Sequence, residues 1–393
     1  MPHTIVIAGY YGFGNTGDEL ILDAMIQDFR GVIPDVNIVV LSGKPRQTAS
    51  RYQVGSVSWM NISQIEQTIR GADLVILGSG GIFHDYWGFD QSAILTSEHI
   101  GISFYTSVAL LASIHHKPLM LYAVGVGPLV TEQGRAHVRA IAEQAALITV
   151  RDQQSLETLR DLGVAEKRVA LAADPVIGLT FQKKTDSEGK KRLGIVLRNW
   201  NVGVEPDHWE RCVAGAVDEF LDTHPEFEAF FIPFQDAADP FLDDRGVDRR
   251  ICKQLRNAKR TRILERSLNP RVKGDSLAGC DLVLGMRLHS LIVAAGCGIP
   301  MVGLRYDPKV ENYLNQVGLS SYSIDLTAIS ESIILKRLND AWSHQDELRA
   351  LLLNKKVEMA DLASKSVLQA FELLSNSNAR ARLICGDLQG ILE

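Results

Sequence analysis

The sequence has little of what marks the specialised protein classes. Its 5 cysteines, Cys212, Cys252, Cys280, Cys297 and Cys385, are odd in number, scattered, and include no C-x-x-C pair. Neither a disulfide framework nor a zinc site follows from such spacing, and the cysteines read as buried thiols. No apolar run reaches the roughly 18 residues that a membrane span needs; the nearest is broken by Ser113, His115, His116 and Lys117. The opening MPHTIVIAGYYG is already a strand entering a turn, without the charged start, apolar core and cleavage site of a signal peptide. There is no dense lysine or arginine run, and a formal net charge of -6 gives no electrostatic reason to expect nucleic acid as a partner. The expectation is a cytoplasmic protein.

What is present is a globular composition, 46% hydrophobic and 22% charged, over 393 residues, too many for one ordinary core. The spacing predicts strands over 4–8, 37–41, 73–77, 119–124, 147–150 and 169–172, separated by helices over 19–30, 62–70, 103–114, 132–146 and 155–162. The polar, glycine-containing stretch 183–191 reads as a linker. The pattern then restarts, with strands over 192–197, 227–232, 281–284 and 301–304 and around Ile263. Helices are expected over 207–223, 249–257, 271–279 and from Leu288 onward. Residues 239–250 read as an exposed charged segment, 329–375 as helical, and 376–393 as patternless. Repeated strand, glycine-rich turn and helix imply parallel sheets covered on both faces. The expected fold class is α/β, with two Rossmann-like domains facing across a cleft. Residues 1–180 form the N-terminal domain, 192–326 the C-terminal domain, 327–375 C-terminal helices and 376–393 a tail.

Gly12-Phe13-Gly14-Asn15-Thr16-Gly17 spells the dinucleotide fingerprint between a strand and a helix. That motif requires an acidic residue at the end of the second strand, whereas the sequence there reads Leu41-Ser42-Gly43-Lys44. Asp18 and Glu19 would also set two carboxylates against an incoming pyrophosphate. An NAD site is therefore disfavoured. Asp18 and Glu19 either cap the helix and offset its dipole, or one of them binds or deprotonates a sugar hydroxyl. Gly78-Ser79-Gly80-Gly81 and Gly125-Val126-Gly127-Pro128 follow strands, where glycine lets backbone approach a ligand or simply closes a short turn. Arg151 and Asp152 end another strand and admit either mutual pairing or ligand contact. His84 and Asp85 stay open between cleft and surface.

The most concentrated chemistry lies in GMRLHSLIVAAGCGIPMVGLRYDPKV, residues 285–310. Ligands of open parallel sheets bind beyond the carboxyl ends of strands, and Arg287, His289 and Lys309 all fall there, with Tyr306-Asp307-Pro308-Lys309 read as a loop. An arginine fork suits a carboxylate or phosphate, and an imidazole two residues away exchanges protons near neutral pH. The three together describe a site for a compact, multiply charged anion. Trp87, Phe89 and Trp200, in candidate acceptor loops 86–102 and 199–206, suit either sugar stacking or packing.

With Gly14-Asn15-Thr16-Gly17-Asp18-Glu19, Gly78-Ser79-Gly80-Gly81, Val150-Arg151-Asp152, Ala173-Asp174-Pro175, Gly285-Met286-Arg287-Leu288-His289 and Tyr306-Asp307-Pro308-Lys309 in this order, the chain resembles the polysaccharide pyruvyl transferases, in particular the bacterial CsaB type, over about residues 4–320. The resemblance implies a GT-B-like fold and transfer of the enolpyruvyl unit of phosphoenolpyruvate onto a sugar as a cyclic ketal. The acceptor is a cell-surface polysaccharide or its lipid-linked precursor. Phosphoenolpyruvate is a co-substrate, with no cofactor and no metal, and contact with the inner face of the plasma membrane is at most peripheral. His289, Asp18 and Glu19 are implied as catalytic, and Arg151, Arg287, Leu288, Lys309, Gly80, Gly81 and Asn15 as substrate-binding. A nucleotide-sugar glycosyltransferase of the same architecture is the alternative.

Overall fold

The computed structural model describes residues 3–86, 88–183 and 189–389, with side chains as far as Ser375. Trp87, most of the expected linker and the last four residues fall outside the described residues. The chain divides into two compact units. The first takes the described residues of Met1–Gly12, Ile21–Pro175 and Asp361–Glu393, and the second takes Phe13–Leu20 and Val176–Ala360. The sequence-based division placed residues 13–20 in the N-terminal domain; here they group with the second unit.

Unit 1 holds strands β1 (Thr4–Ala8), β2 (Asn37–Ser42), β3 (Gly55–Ser58), β4 (Leu74–Phe83), β5 (Leu119–Val126), β6 (Leu147–Val150) and β7 (Val169–Leu171), all parallel, in the order β3-β2-β1-β4-β5-β6-β7. Helix α1 (Thr16–Val32) follows β1. Then come α2 (Pro45–Tyr52), α3 (Ile62–Arg70), α4 (Ile102–Ile114), α5 (Glu132–Gln144) and α6 (Gln153–Asp161). β1, β4 and β5 read as unbroken apolar runs because both faces of a parallel sheet are covered. Val6, Leu77, Leu121 and Val150 of the strands pack with Ile65, Val108 and Ile141 of the helices in one buried cluster.

Unit 2 repeats the plan with β8 (Lys191–Val196), β9 (Phe227–Phe231), β10 (Thr261–Ile263), β11 (Leu282–Gly285), β12 (Met301–Arg305) and β13 (Ser323–Asp325), parallel, in the order β10-β9-β8-β11-β12-β13. Its helices are α7 (Pro206–Thr223), α8 (Arg245–Cys252), α9 (Pro270–Ala278), α10 (Leu288–Gly296), α11 (Pro308–Gln316) and α12 (Glu331–Ser343). The final helix, α13 (Gln345–Gln389), continues through most of the stretch that showed no pattern in the sequence. No helix among the described residues is long and apolar enough to cross a membrane. In both sheets the winding direction reverses beside the first strand, between β1 and β4 and between β8 and β11. This is the doubly wound order, whose ligand position lies at that reversal.

The structure corrects several expectations. Gly78-Ser79-Gly80-Gly81 is not a turn but part of β4, which continues its ladder with β5 through a register shift between Gly80 and Phe83. Gly78 (φ +145°) is required there, since a Cβ would lie 2.4 Å from the Tyr122 carbonyl oxygen. The loop expected at Tyr306-Asp307-Pro308-Lys309 starts α11, with Asp307 accepting from the Lys309 N–H at 3.0 Å as N-cap and Pro308 in the first turn. The segment 239–250 is not simply exposed: Asp244 and Asp248 are fully buried and Arg245 nearly so, with Asp244 paired to Arg287 and Arg245 to Asp236. Of the four described cysteines only Cys280 is buried, the others being half-exposed. The short elements α2, β3 and β13 escaped notice because PRQTASRY, GSVS and SID carry no apolar period.

Within unit 1, burial pushes the Asp28 carboxyl up to about 6, with the neighbouring Tyr122 hydroxyl opposing the shift. A carboxyl whose pKa is raised by folding binds its proton more tightly in the native state. The native state is therefore favoured below the unfolded value and loses that advantage as pH rises from about 4 through 6, by about 3 kcal/mol at most. Thermal midpoints should fall over that pH window, and Asp28→Asn should flatten the fall.

Candidate functional site

The site in unit 2 begins with the backbone. Beyond β9 the chain at Phe234-Gln235-Asp236 lies against Phe13–Thr16. The Thr16 N–H donates to the Phe234 carbonyl at 2.7 Å, the Asp236 N–H to the Gly14 carbonyl at 3.0 Å, and Gln235 Nε2 to the Phe13 carbonyl at 2.9 Å. Asn15 and Gln235 form an antiparallel bridge. Gly14 (φ +80°) permits this approach, since its Cβ would sit 2.1 Å from the Asp236 carbonyl oxygen. The Asp236 carboxylate is anchored by Lys273 at 2.5 Å and Arg245 at 2.5 Å.

α1 therefore starts inside unit 2. Asn15 Oδ1 accepts from the Gly17 N–H at 2.9 Å and caps it. Asp18 and Glu19 follow in the first turn, where carboxylates offset the helix dipole, with Glu19 buried.

Arg287 leaves β11 and is gripped by Asp244, which accepts from Nη2 at 2.5 Å and from Nε at 3.1 Å. The same carboxylate takes the backbone N–H groups of Phe234 (3.1 Å) and Gln235 (2.8 Å). Burial pushes the Asp244 carboxyl up, against the pull of Arg287. Asp248, one turn on, is pushed well above the usual carboxylate value by burial and by Asp244 and Asp243. The Arg287 guanidinium, despite burial, is held above its usual value by Asp244, with Tyr306 and Asp18 adding to the effect. Asp18 and Arg287 thus share one electrostatic neighbourhood.

His289 stands in the first turn of α10 and packs on Gly17. A Cβ at Gly17 would fall 2.1 Å from His289 Nδ1 and 2.5 Å from Cγ. Leu288 is buried, so its contribution to any ligand is limited to backbone; no side chain caps α10.

At the end of β12, Lys309 Nζ lies 3.1 Å from Asp307 and 5.4 Å from the Tyr306 ring centroid. Arg198, two residues past β8, donates from Nη1 to the Tyr306 hydroxyl at 3.1 Å. Its guanidinium stands 5.0 Å from the Trp200 ring and 4.8 Å from the Tyr306 ring. Burial pushes the Tyr306 phenol up, but Lys309, Arg198 and Arg287 outweigh it and leave the phenol below its ordinary value. Sequence reasoning missed Arg198, Asp244 and the role of Tyr306. Arg198 obeys the strand-end rule that found Arg287, while Asp244 has no such signal.

Unit 1 holds the remaining expected residues. Arg151 is 5% exposed, pairs with Asp174 at 3.2 Å and Asp152 at 3.4 Å, and lies against Gly81 and Gly125, where a Cβ would stand 3.4 and 2.8 Å from Nη2. Gly80 (φ +103°) continues β4. Asp85 accepts from the Val130 and Thr131 N–H groups at 2.6 and 2.9 Å and from the Thr131 hydroxyl, a loop-fixing role. Phe89 packs on His137 at 4.7 Å. Trp200, in unit 2, is 9% exposed and donates to the Val202 carbonyl. Among the described residues no group of three or more His, Cys, Asp or Glu is arranged to hold a metal.

The family model described as polysaccharide pyruvyl transferase matches residues 15–308. The amylovoran biosynthesis protein AmsJ of Erwinia amylovora is 22% identical over 305 residues, which is 73% of this chain and 69% of that protein. Among solved structures, S. aureus MnaA, determined with UDP, has a TM-score of 0.64 at 13% identity, covering 96% of this chain and 98% of that one. A glycosyltransferase from Rickettsia africae has a TM-score of 0.60 at 10% identity, covering 95% and 99%. The two structures establish a GT-B-like fold.

Two substitutions probe this construction. Asp244→Asn leaves the Arg287 guanidinium without its charge partner and should lower stability in urea denaturation by about 3 to 5 kcal/mol, with Arg287→Met added to it recovering part of the loss. Gly17→Ala should displace the imidazole, read as a shifted His289 resonance in NMR of the folded protein; an unchanged resonance would refute the packing.

Proposed function

The chain belongs to the polysaccharide pyruvyl transferase family, and on that premise we propose that it moves the enolpyruvyl group of phosphoenolpyruvate onto a sugar. The acceptor is a cell-surface polysaccharide or its lipid-linked precursor, met through peripheral contact with the inner membrane face. The products are a cyclic pyruvate ketal and phosphate. The observation that carries the reading, beyond membership, is the grouping in unit 2 of Arg287, His289 and Lys309 at adjacent strand ends with the Asp18 carboxylate near Arg287.

Phosphoenolpyruvate is a carboxylate and a phosphate on one small frame, which Arg287 and Lys309 suit. His289 acts as general acid and delivers a proton to the methylene carbon, leaving C2 electrophilic. A sugar hydroxyl adds to C2 while Asp18 or Glu19 takes its proton. The C2–O bond to phosphate then breaks, and a second hydroxyl closes the ketal, its proton leaving with phosphate. Cations around the departing phosphate stabilise the charge that develops on it.

The second reading, a nucleotide-sugar glycosyltransferase, draws on the UDP-bound and glycosyltransferase structures that share the fold. A thermal-shift titration separates the two. Phosphoenolpyruvate should raise the midpoint of the wild type by mass action, UDP should not, and Arg287→Ala should lose the response. Stabilisation by UDP alone would favour the glycosyltransferase. His289→Gln should keep the phosphoenolpyruvate response while phosphate release to a saccharide acceptor falls by about 100-fold or more. In D2O the ketal methyl should carry one deuterium, read by mass spectrometry.

A further inference from the structure

Phosphoenolpyruvate brings at least two negative charges, yet both cations assigned to it in unit 2 are already matched. Arg287 gives Nε and Nη2 to buried Asp244, and Lys309 lies 3.1 Å from buried Asp307. A cation paired with a neighbour still offers hydrogen bonds but adds less net potential than an unpaired one.

Arg198 is different. Among the described residues no carboxylate stands within ion-pair distance of it; it is held by the Trp200 and Tyr306 rings and by the Tyr306 hydroxyl. Its Nε is buried without a hydrogen-bond acceptor, a condition that native structures seldom leave unanswered. The chain around it is fixed. Asn199 donates from Nδ2 to the Phe241 carbonyl at 2.8 Å and accepts from Arg250 at 2.7 Å, and Trp209 Nε1 donates to the Trp200 carbonyl at 3.1 Å. Arg198 follows β8 and Arg287 follows β11, the two neighbouring strands at which the sheet reverses its winding, where a doubly wound sheet takes its ligand.

We propose that Arg198 is the cation that supplies the net charge for the donor's oxyanion, its guanidinium plane held by Trp200 and Tyr306 so that the orphaned Nε side meets a phosphate or carboxylate oxygen. This rests on reading the strand ends of unit 2 as the donor site. A hydrogen bond from a charged donor contributes about 1.5 to 3 kcal/mol, so its loss weakens binding by about 10- to 100-fold.

The test is calorimetric titration of wild type, Arg198→Ala and Arg198→Lys with phosphoenolpyruvate and, separately, with inorganic phosphate. Arg198→Ala should weaken binding by about 10- to 100-fold, and Arg198→Lys should recover part of it through charge alone. A merely structural role would give no such rescue. Should the alanine variant not fold, Arg198→Gln takes its place. If wild type binds phosphoenolpyruvate and the variants bind it equally well, the Arg198 assignment falls and the proposed function stands. If wild type binds inorganic phosphate but not phosphoenolpyruvate, and Arg198→Ala loses it, the assignment stands and the proposed donor falls. If wild type binds neither, both are overturned.

Discussion

Asp244 ties the second unit's site together through one carboxylate. It accepts both arms of Arg287, and it accepts the N–H groups of Phe234 and Gln235, the residues whose backbone lies along Phe13–Thr16. The orientation of the arginine and the start of α1, with Asp18 and Glu19 behind it, therefore follow from the position of a single buried group. A buried carboxylate is costly unless every lone pair finds a donor, and here four donors converge on it. Such a group cannot drift without unsatisfying several partners at once, and this makes the surrounding geometry rigid before any ligand arrives.

The second layer of charge serves the same backbone. Lys273 and Arg245 close on Asp236, whose carbonyl faces Gly14 and whose N–H reaches the Gly14 carbonyl. Burial lowers the Lys273 ammonium while Asp236 raises it, the net direction being downward. These pairs hold the strand-end loops in place. The imidazole on Gly17, the acids of the first turn of α1 and the stacked guanidinium of Arg198 lie in the same unit as these pairs.

Much of the fold could be read from the sequence because apolar runs and glycine-rich turns alternate in it. Val6, Leu77 and Leu121 lie in strands whose covered faces demand such runs, and the strand-end rule led directly to Arg287, His289 and Lys309. What escaped was set by contacts distant in sequence. Asp244 lies in a stretch rich in charge, and its charge partner Arg287 stands 43 residues away. Arg198 looked ordinary because the rings that hold it, Trp200 and Tyr306, meet only in the folded unit, 4.7 Å apart. The grouping of residues 13–20 with the second unit rests on backbone hydrogen bonds to Phe234-Gln235-Asp236, and backbone groups carry no sequence signature.

The three glycines of Gly12-Phe13-Gly14-Asn15-Thr16-Gly17 answer to atoms of the protein itself. Gly12 makes room for Ser42 Oγ, Gly14 for the Asp236 carbonyl and Gly17 for the His289 ring. In a dinucleotide-binding turn the same spelling is demanded by a pyrophosphate and by close helix packing. Two unrelated sets of crowding thus converge on one six-letter word. The spelling alone therefore does not say what demands its glycines; the neighbours of each one do.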